Sequence, residues 1–146
     1  MLDDTPQPPH LGGLSESECW ELLHRSGLGR LATAAGGRAD IFPVNYLVHE
    51  DSVLLRTAPG TKLDQLVEAP EVAFEVDGND AHRYWSVVIR GRARHLEDQS
   101  RITRSGVLEL VSWVPTDKHE FIEIIPSSVV GREVERARFG KSSLFG

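Results

Sequence analysis

The chain carries one cysteine, Cys19, in 146 residues. One thiol cannot close an internal disulfide, and a cysteine-based metal site needs more sulfur than that. Its six histidines, at positions 10, 24, 49, 82, 95 and 119, are scattered, with no HExxH or other close ligand pair. No metal is expected on that spacing. No apolar run is long enough to span a bilayer, and the opening MLDDTPQPPHLGG has no basic segment followed by an apolar one. Neither a membrane span nor a secretory leader is expected, which makes the cytoplasm the default location. A basic excess is missing too. The net charge of −6 has the wrong sign for neutralising a nucleic-acid backbone. There is no GxSxG and no hydroxyl nucleophile beside a plausible base, so hydrolase chemistry has no support. No internal repeat occurs at a fixed spacing.

What remains is ordinary globular material. Hydrophobic residues make up 40% and charged residues 26% of the chain, and its length suits one domain with a real core. Residues 1–13, rich in Pro, Asp and Gly, read as a mobile arm, leaving 14–146 as a single domain.

Local signals then follow one another. Ser15 with Glu18 forms a capping box, Leu14 and Cys19 a hydrophobic staple, and Gly27 a stop, which predicts a short helix from about Glu16 to Ser26. Arg30–Ala34 and Ala39–His49 flank a turn at AGGR as a hairpin, and Ser52–Ala58 is a third strand. Thr61 to Glu68 fits a helix that ends before Pro70, with Thr61 and Asp64 as a second capping box. Glu71–Asp77 and Arg83–Leu96 are strands joined by a turn at Gly78 and Asn79, with Gly91 as a bend or bulge. Asp98–Val114 is helical, broken near Gly106 and stopped by Pro115. His119–Val134 supplies the last one or two strands. About six hairpin-linked strands with few helices predict a mainly β fold, a closed or half-closed antiparallel barrel rather than a doubly wound sheet.

The stretch LLRTAPGTKLDQL (Leu54–Leu66) mixes strand, turn and helix start. A helix beginning beside Thr57, Gly60, Thr61 and Lys62 offers free N–H groups and a favourable dipole to an anion, and Arg56 and Lys62 add charge. The GxxxxGK[ST] spacing is absent, so no nucleoside triphosphate is implied. A capped helix with a surface lysine explains the same residues equally well.

In order and spacing, the run GRLAT…FPVNYLV…SVLLRTAPGTKLDQL…VAFEVDG…WSVVIRGRA resembles the pyridoxamine 5′-phosphate oxidase-like split barrels. The likeness covers about Leu14 to Val134 and lies closest to the nitroimidazole-reductase-like branch. It implies a six-stranded antiparallel split β-barrel, a homodimer, and FMN in the cleft between two subunits. By motif match, the phosphate falls to Arg56, Thr57, Thr61 and Lys62, which favours the anion reading of the turn. The flavin edge falls to the backbone of Pro43, Val44 and Asn45, and a polar contact to Ser86 with Trp85 beside it. The implied activity is flavin-dependent oxidation or reduction of a small molecule. A deazaflavin-dependent reductase of the same fold, or a non-catalytic flavin- or haem-binding module, are the alternatives. Where that branch commonly has histidine this chain has Arg56, so no histidine-dependent activity is implied. The end RARFGKSSLFG does not match the vitamin-phosphate grip of true pyridoxamine phosphate oxidases.

Two further features have plainer readings. Arg90, Arg92 and Arg94 lie on one strand face and are expected to pair with carboxylates rather than touch nucleic acid. Trp85, Val87 and Ile89, opposite them, read as core, and Trp20 and Trp113 as packing anchors.

Overall fold

A computed structural model describes residues 11–58, 60–111 and 120–136. Among these, seven strands and three α-helices follow in the order β1 (Leu11–Leu14), α1 (Glu16–Arg25), β2 (Leu28–Thr33), β3 (Asp40–His49), β4 (Ser52–Thr57), α2 (Thr61–Glu68), β5 (Glu71–Asn79), β6 (Arg83–His95), α3 (Gln99–Ser105) and β7 (Glu120–Glu135). Short 3₁₀ turns occupy Ala35–Gly37 and Val107–Glu109. The strands pair antiparallel in the order β7-β4-β3-β2-β5-β6, and a β6–β7 pairing closes the ring. The result is the expected mainly β, six-stranded antiparallel barrel. No helix among the described residues is long and apolar enough to cross a membrane.

Strand β1 corrects the reading of an arm for residues 11–13. Leu11 to Leu14 pair with Val134 to Gly131 of β7, while residues 1–10 lie outside the described residues. The cause is the length of β7. Strand β4 covers only its first part, Glu120 to Ile124, and the later edge would otherwise expose unpaired N–H and C=O groups. A second correction concerns Gly78 and Asn79, which continue β5 opposite Trp85 and Tyr84 instead of turning. The turn sits one step later, where the Asp80 carboxylate accepts from the amides of His82 and Arg83 at 2.8 and 3.0 Å. Gly91 does mark a bulge, since the β6–β7 register shifts between Arg90 and Gly91. A Cβ there would overlap the Ile125 carbonyl.

Alternation fills the barrel. Leu31, Val53, Leu55, Phe74, Val87, Ile89 and Ile124 point inward and are fully buried. Helix α1 adds Cys19, Leu22 and Leu23 to the same core, with Trp20 packed beside them. Its start is the expected box: Ser15 Oγ accepts from the Glu18 amide at 3.1 Å, and the Glu18 carboxylate accepts from the Ser15 amide at 3.3 Å. The Tyr46 hydroxyl fastens its far end, donating to the Leu23 carbonyl at 2.7 Å.

A second, smaller core lies outside the barrel. Leu54 and Phe121, on the outward faces of β4 and β7, meet Leu96, Ile102 of α3 and Val107. Beneath α3 sits Glu123, 1% exposed. Its carboxylate pairs with Arg94 of β6 at 2.7 Å and with Arg101 of α3. Burial pushes this carboxyl's pKa up, but hydrogen bonds from Arg101, Ser52 and Arg94 outweigh it, so the net shift is below the ordinary value. Two of the three arginines on that face of β6 are thus paired with carboxylates as expected, Arg94 with Glu123 and Arg92 with Glu71 at 2.8 Å. The helical stretch expected to reach Val114 stops at Glu109: Gly106 adopts a left-handed φ of 84°, one 3₁₀ turn follows, and Leu110 is extended. Trp113 lies outside the described residues.

Because the folded pKa of Glu123 lies below its unfolded value, its stabilising contribution is present above about pH 4.5 and is lost as pH falls through the folded pKa. Glu123→Gln should cost about 3 kcal/mol at neutral pH and flatten the loss of stability below pH 4.5, as read by urea unfolding across a pH series.

Candidate functional site

Side-chain alternation divides the candidate residues into two sets. Val44 and Thr57 point into the barrel and are buried. Trp85 also turns inward, packed against the core and lying across Gly78, where a Cβ would come within 2.6 Å of its ring. Val44 can therefore face a ligand only through its backbone. Pro43, Asn45, Arg56 and Ser86 point outward, because Asn45 stands opposite Leu28, Pro43 opposite Arg30, Arg56 opposite Phe121 and Ser86 opposite Asp77.

The outward surface has two halves. Over β4 and the first part of β7 it is covered by α3 and the turn after it. Over the start of β3, β2, β5, β6 and the later part of β7 no described element covers it, with Ile41 of β3 65% and Val130 of β7 44% exposed; this is the bare half among the described residues. An ion cluster crosses this bare half: Arg30 pairs with Glu75 at 2.8 Å and Asp77 at 3.3 Å. Burial, with the neighbouring Asp77, pushes the Glu75 carboxyl up, while Arg30 opposes the shift.

At the seam between the two halves lies an open cleft of about 380 Å³. The barrel side supplies Gly27, Asn45, Tyr46 and Leu47; the segment after α3 supplies Gly106, Glu109, Leu110 and Val111. That volume is within the range of small-molecule sites. Burial pushes the Tyr46 phenol up to about 12, against a hydrogen bond with Ser26, so this wall stays neutral. One step beyond the Tyr46–Leu55 pair, Asn45 and Arg56 follow on adjacent strands. The Arg56 Nη1 donates to the carbonyls of Leu108 at 2.9 Å and Leu110 at 3.2 Å, and its guanidinium lies 5.8 Å from the Phe121 ring centre.

The turn after β4 differs from expectation in one respect. Gly60, not Thr61, is the N-cap of α2, and no side chain caps it. Thr61 is already the first helical residue, so the expected Thr61–Asp64 capping box does not form. Gly60 has φ 147° and ψ −155° with open space where a Cβ would stand, a conformation essentially confined to glycine. The helix start thus keeps N–H donors free of a side-chain acceptor, a donor set that suits an anion. The side chains of Thr61 and Lys62 lie outside the described residues.

Within one chain, then, Asn45, Arg56, Thr57 and the start of α2 gather on neighbouring strands. Ser86 does not join them. Strands β2 and β5 stand between β3 and β6, so three strand spacings, about 14 Å, separate Ser86 from Asn45. The sequence reading missed Gly27, Glu109 and Leu110 as cleft residues. Gly27 reaches the cleft through the β2–β3 ladder, its carbonyl accepting from the Tyr46 amide at 3.1 Å, whereas Glu109 and Leu110 are brought there by the outer core around Val107 and Ile102, a contact with no periodic signal.

A closed six-stranded antiparallel barrel with one half of its outer face bare and a cleft at the seam is a split barrel. The chain belongs to the pyridoxamine 5′-phosphate oxidase family, whose model matches residues 15–133. Among solved structures it is similar to a candidate pyridoxamine 5′-phosphate oxidase from Corynebacterium glutamicum, at 35% identity and TM-score 0.78, covering 87% of this chain and all of that one. It is likewise similar to an FAD-binding protein from Mycobacterium smegmatis, at 38% identity and TM-score 0.72, covering 88% and 100%. An uncharacterized protein of Mycobacterium tuberculosis is 34% identical over 94 residues, 64% of this chain and 83% of that protein.

Gly60→Ala tests the conformation at the α2 start. With room for a methyl group, its cost should be purely conformational, about 1–3 kcal/mol in urea unfolding.

Proposed function

We propose that the protein is a flavin-nucleotide-binding homodimer that takes FMN and acts as a flavin-dependent oxidoreductase on a small molecule. The observation that carries this reading is the start of α2: a helix N-terminus with no side-chain cap, delivered through a glycine-only conformation at the end of β4, the strand that carries Arg56 and Thr57. The phosphate end of the nucleotide is assigned to Thr57, Thr61 and Lys62, with Arg56 adjoining them. The backbone of Pro43, Val44 and Asn45 lines the flavin edge. The FAD-binding relative supports a flavin in general, and FMN is the form proposed because the donor set serves one terminal phosphate.

Bound flavin supplies the hydride chemistry, while the protein contributes position and electrostatics. On this reading the Asn45 amide and the Ser86 hydroxyl offer hydrogen bonds to the ring's polar edge, and Trp85 supports Ser86 from the core side. The separation of Ser86 from Asn45 favours a second copy on the bare face: there, the Ser86 of one subunit completes the cleft of the other. Ile41, Pro43 and Val130 on that face are exposed apolar or small surface of the kind interfaces cover.

The first measurement is an absorption spectrum of the desalted protein after incubation with FMN, FAD, riboflavin or a deazaflavin. Retained FMN absorbance supports the assignment. Retention of the deazaflavin alone moves it to the other cofactor class, and binding without turnover of reduced nicotinamide and an acceptor marks a non-catalytic module. Lys62→Ala should weaken FMN about tenfold, the scale of one charge-assisted phosphate contact, and leave riboflavin unchanged. Sedimentation should show a dimer at micromolar concentration; a stable monomer would remove the shared cleft.

A further inference from the structure

We propose that Arg56 is a positioning residue that holds the outer wall of the cleft, and that it acts on a bound flavin through that wall rather than by touching phosphate. The inference rests on the flavin assignment for its ligand, but its geometry is independent of it.

The wall is the segment from Gly106 to Val111. It begins with a left-handed glycine and makes one 3₁₀ turn, and among the described residues its backbone bonds are short-range: the Val107 amide donates to Ser105 Oγ at 3.2 Å, the Glu109 amide to the Gly106 carbonyl at 3.1 Å and the Leu110 amide to the Val107 carbonyl at 3.2 Å. Val107, fully buried, pins it to the outer core on one side. Leu110 packs in part against the same core, whereas Leu108 and Val111 are 47% and 72% exposed. The carbonyls of a helical end need outside donors, and a cation there is favoured. Arg56 meets both needs. One nitrogen reaches the carbonyls of Leu108 and Leu110, while the guanidinium lies near the Phe121 ring. Leu110 and Glu109 then face Asn45 across the cleft. Alternation along β4 also turns Arg56 away from Thr57, which points inward at the end of the same strand.

A phosphate ligand and a wall clamp leave different marks. Loss of a phosphate ligand weakens FMN and spares riboflavin, which has no phosphate. Loss of the clamp weakens both by the same factor. Arg56→Ala and Arg56→Met, the second keeping an unbranched stem beside Phe121, should each weaken FMN and riboflavin about tenfold alike. In the ligand-free protein, amide exchange at residues 108–111 should accelerate at least as much, while exchange in β5 and β6 stays unchanged. Arg56→Lys, which keeps a cation within reach of the carbonyls, should recover part of both effects. Weakening confined to FMN would overturn the proposal in favour of direct phosphate contact, as would unchanged exchange at 108–111. If the wild-type protein binds neither flavin, the flavin assignment falls; the exchange result on ligand-free protein then still decides whether Arg56 holds the wall.

Discussion

One buried carboxylate ties the outer layer of this protein to its barrel. Glu123 stands on β7 where three elements converge, and it is shielded from water almost completely. Alone there it would be untenable, because an ion of this size loses several kcal/mol on leaving water. Arg94 reaches it from β6 and Arg101 from α3. The first partner belongs to the closing strand pair of the barrel, and the second to the helix that covers the outside. Closure and cover are therefore settled at one charge. The apolar contacts of Leu54, Ile102, Val107 and Phe121 add area around it, but they are non-directional, and the ion pair to Arg101 gives α3 its azimuth.

The position of the cleft follows from that cover. Helix α3 and its trailing turn end partway across the outward face, and the seam they leave is where Asn45, Leu47 and Leu110 meet. Had α3 sat further over β3 there would be no cleft; without α3 the face would be a featureless sheet. The bare half has its own polar device in Arg30, Glu75 and Asp77. It places one cation between two carboxylates on the outward face of β2 and β5. A paired charge can be buried against another protein surface at lower cost than a lone one, so the cluster suits a face that is covered on association.

The fold was largely legible in the sequence because its signals are local. Alternation in EVAFEVD and WSVVI, the Ser15–Glu18 box and the glycine of RGRAR each specify structure within a few residues, and the pairings β2–β3, β3–β4 and β5–β6 join consecutive strands, while β2–β5, β4–β7 and β6–β7 do not. What was not legible depends on distant partners. LGGL has two glycines and no alternation, and it becomes a strand only because β7 overhangs β4 and needs its edge filled. Gly78 looked like a turn residue because glycine signals both a turn and a close approach. Here the second applies, with the Trp85 ring lying across it.

The candidate site shows the same division. The β4–α2 turn is a contiguous signal, and the sequence located it, although glycine rather than threonine takes the cap. The direction of Arg56 follows from alternation once the strand limits are fixed, yet what it meets does not. Its carbonyl partners lie some fifty residues on, in a segment whose place depends on Arg101 finding Glu123. A chain of contacts therefore runs from the buried carboxylate through α3 and the 3₁₀ turn to Arg56 and the mouth of the cleft. Its first and last links are both arginines: the first fixes the helix to the barrel, and the last fixes the end of the following segment. Between them Val107 and Leu110 pack on the outer core, so a short turn is held from both ends and from beneath and forms a defined surface.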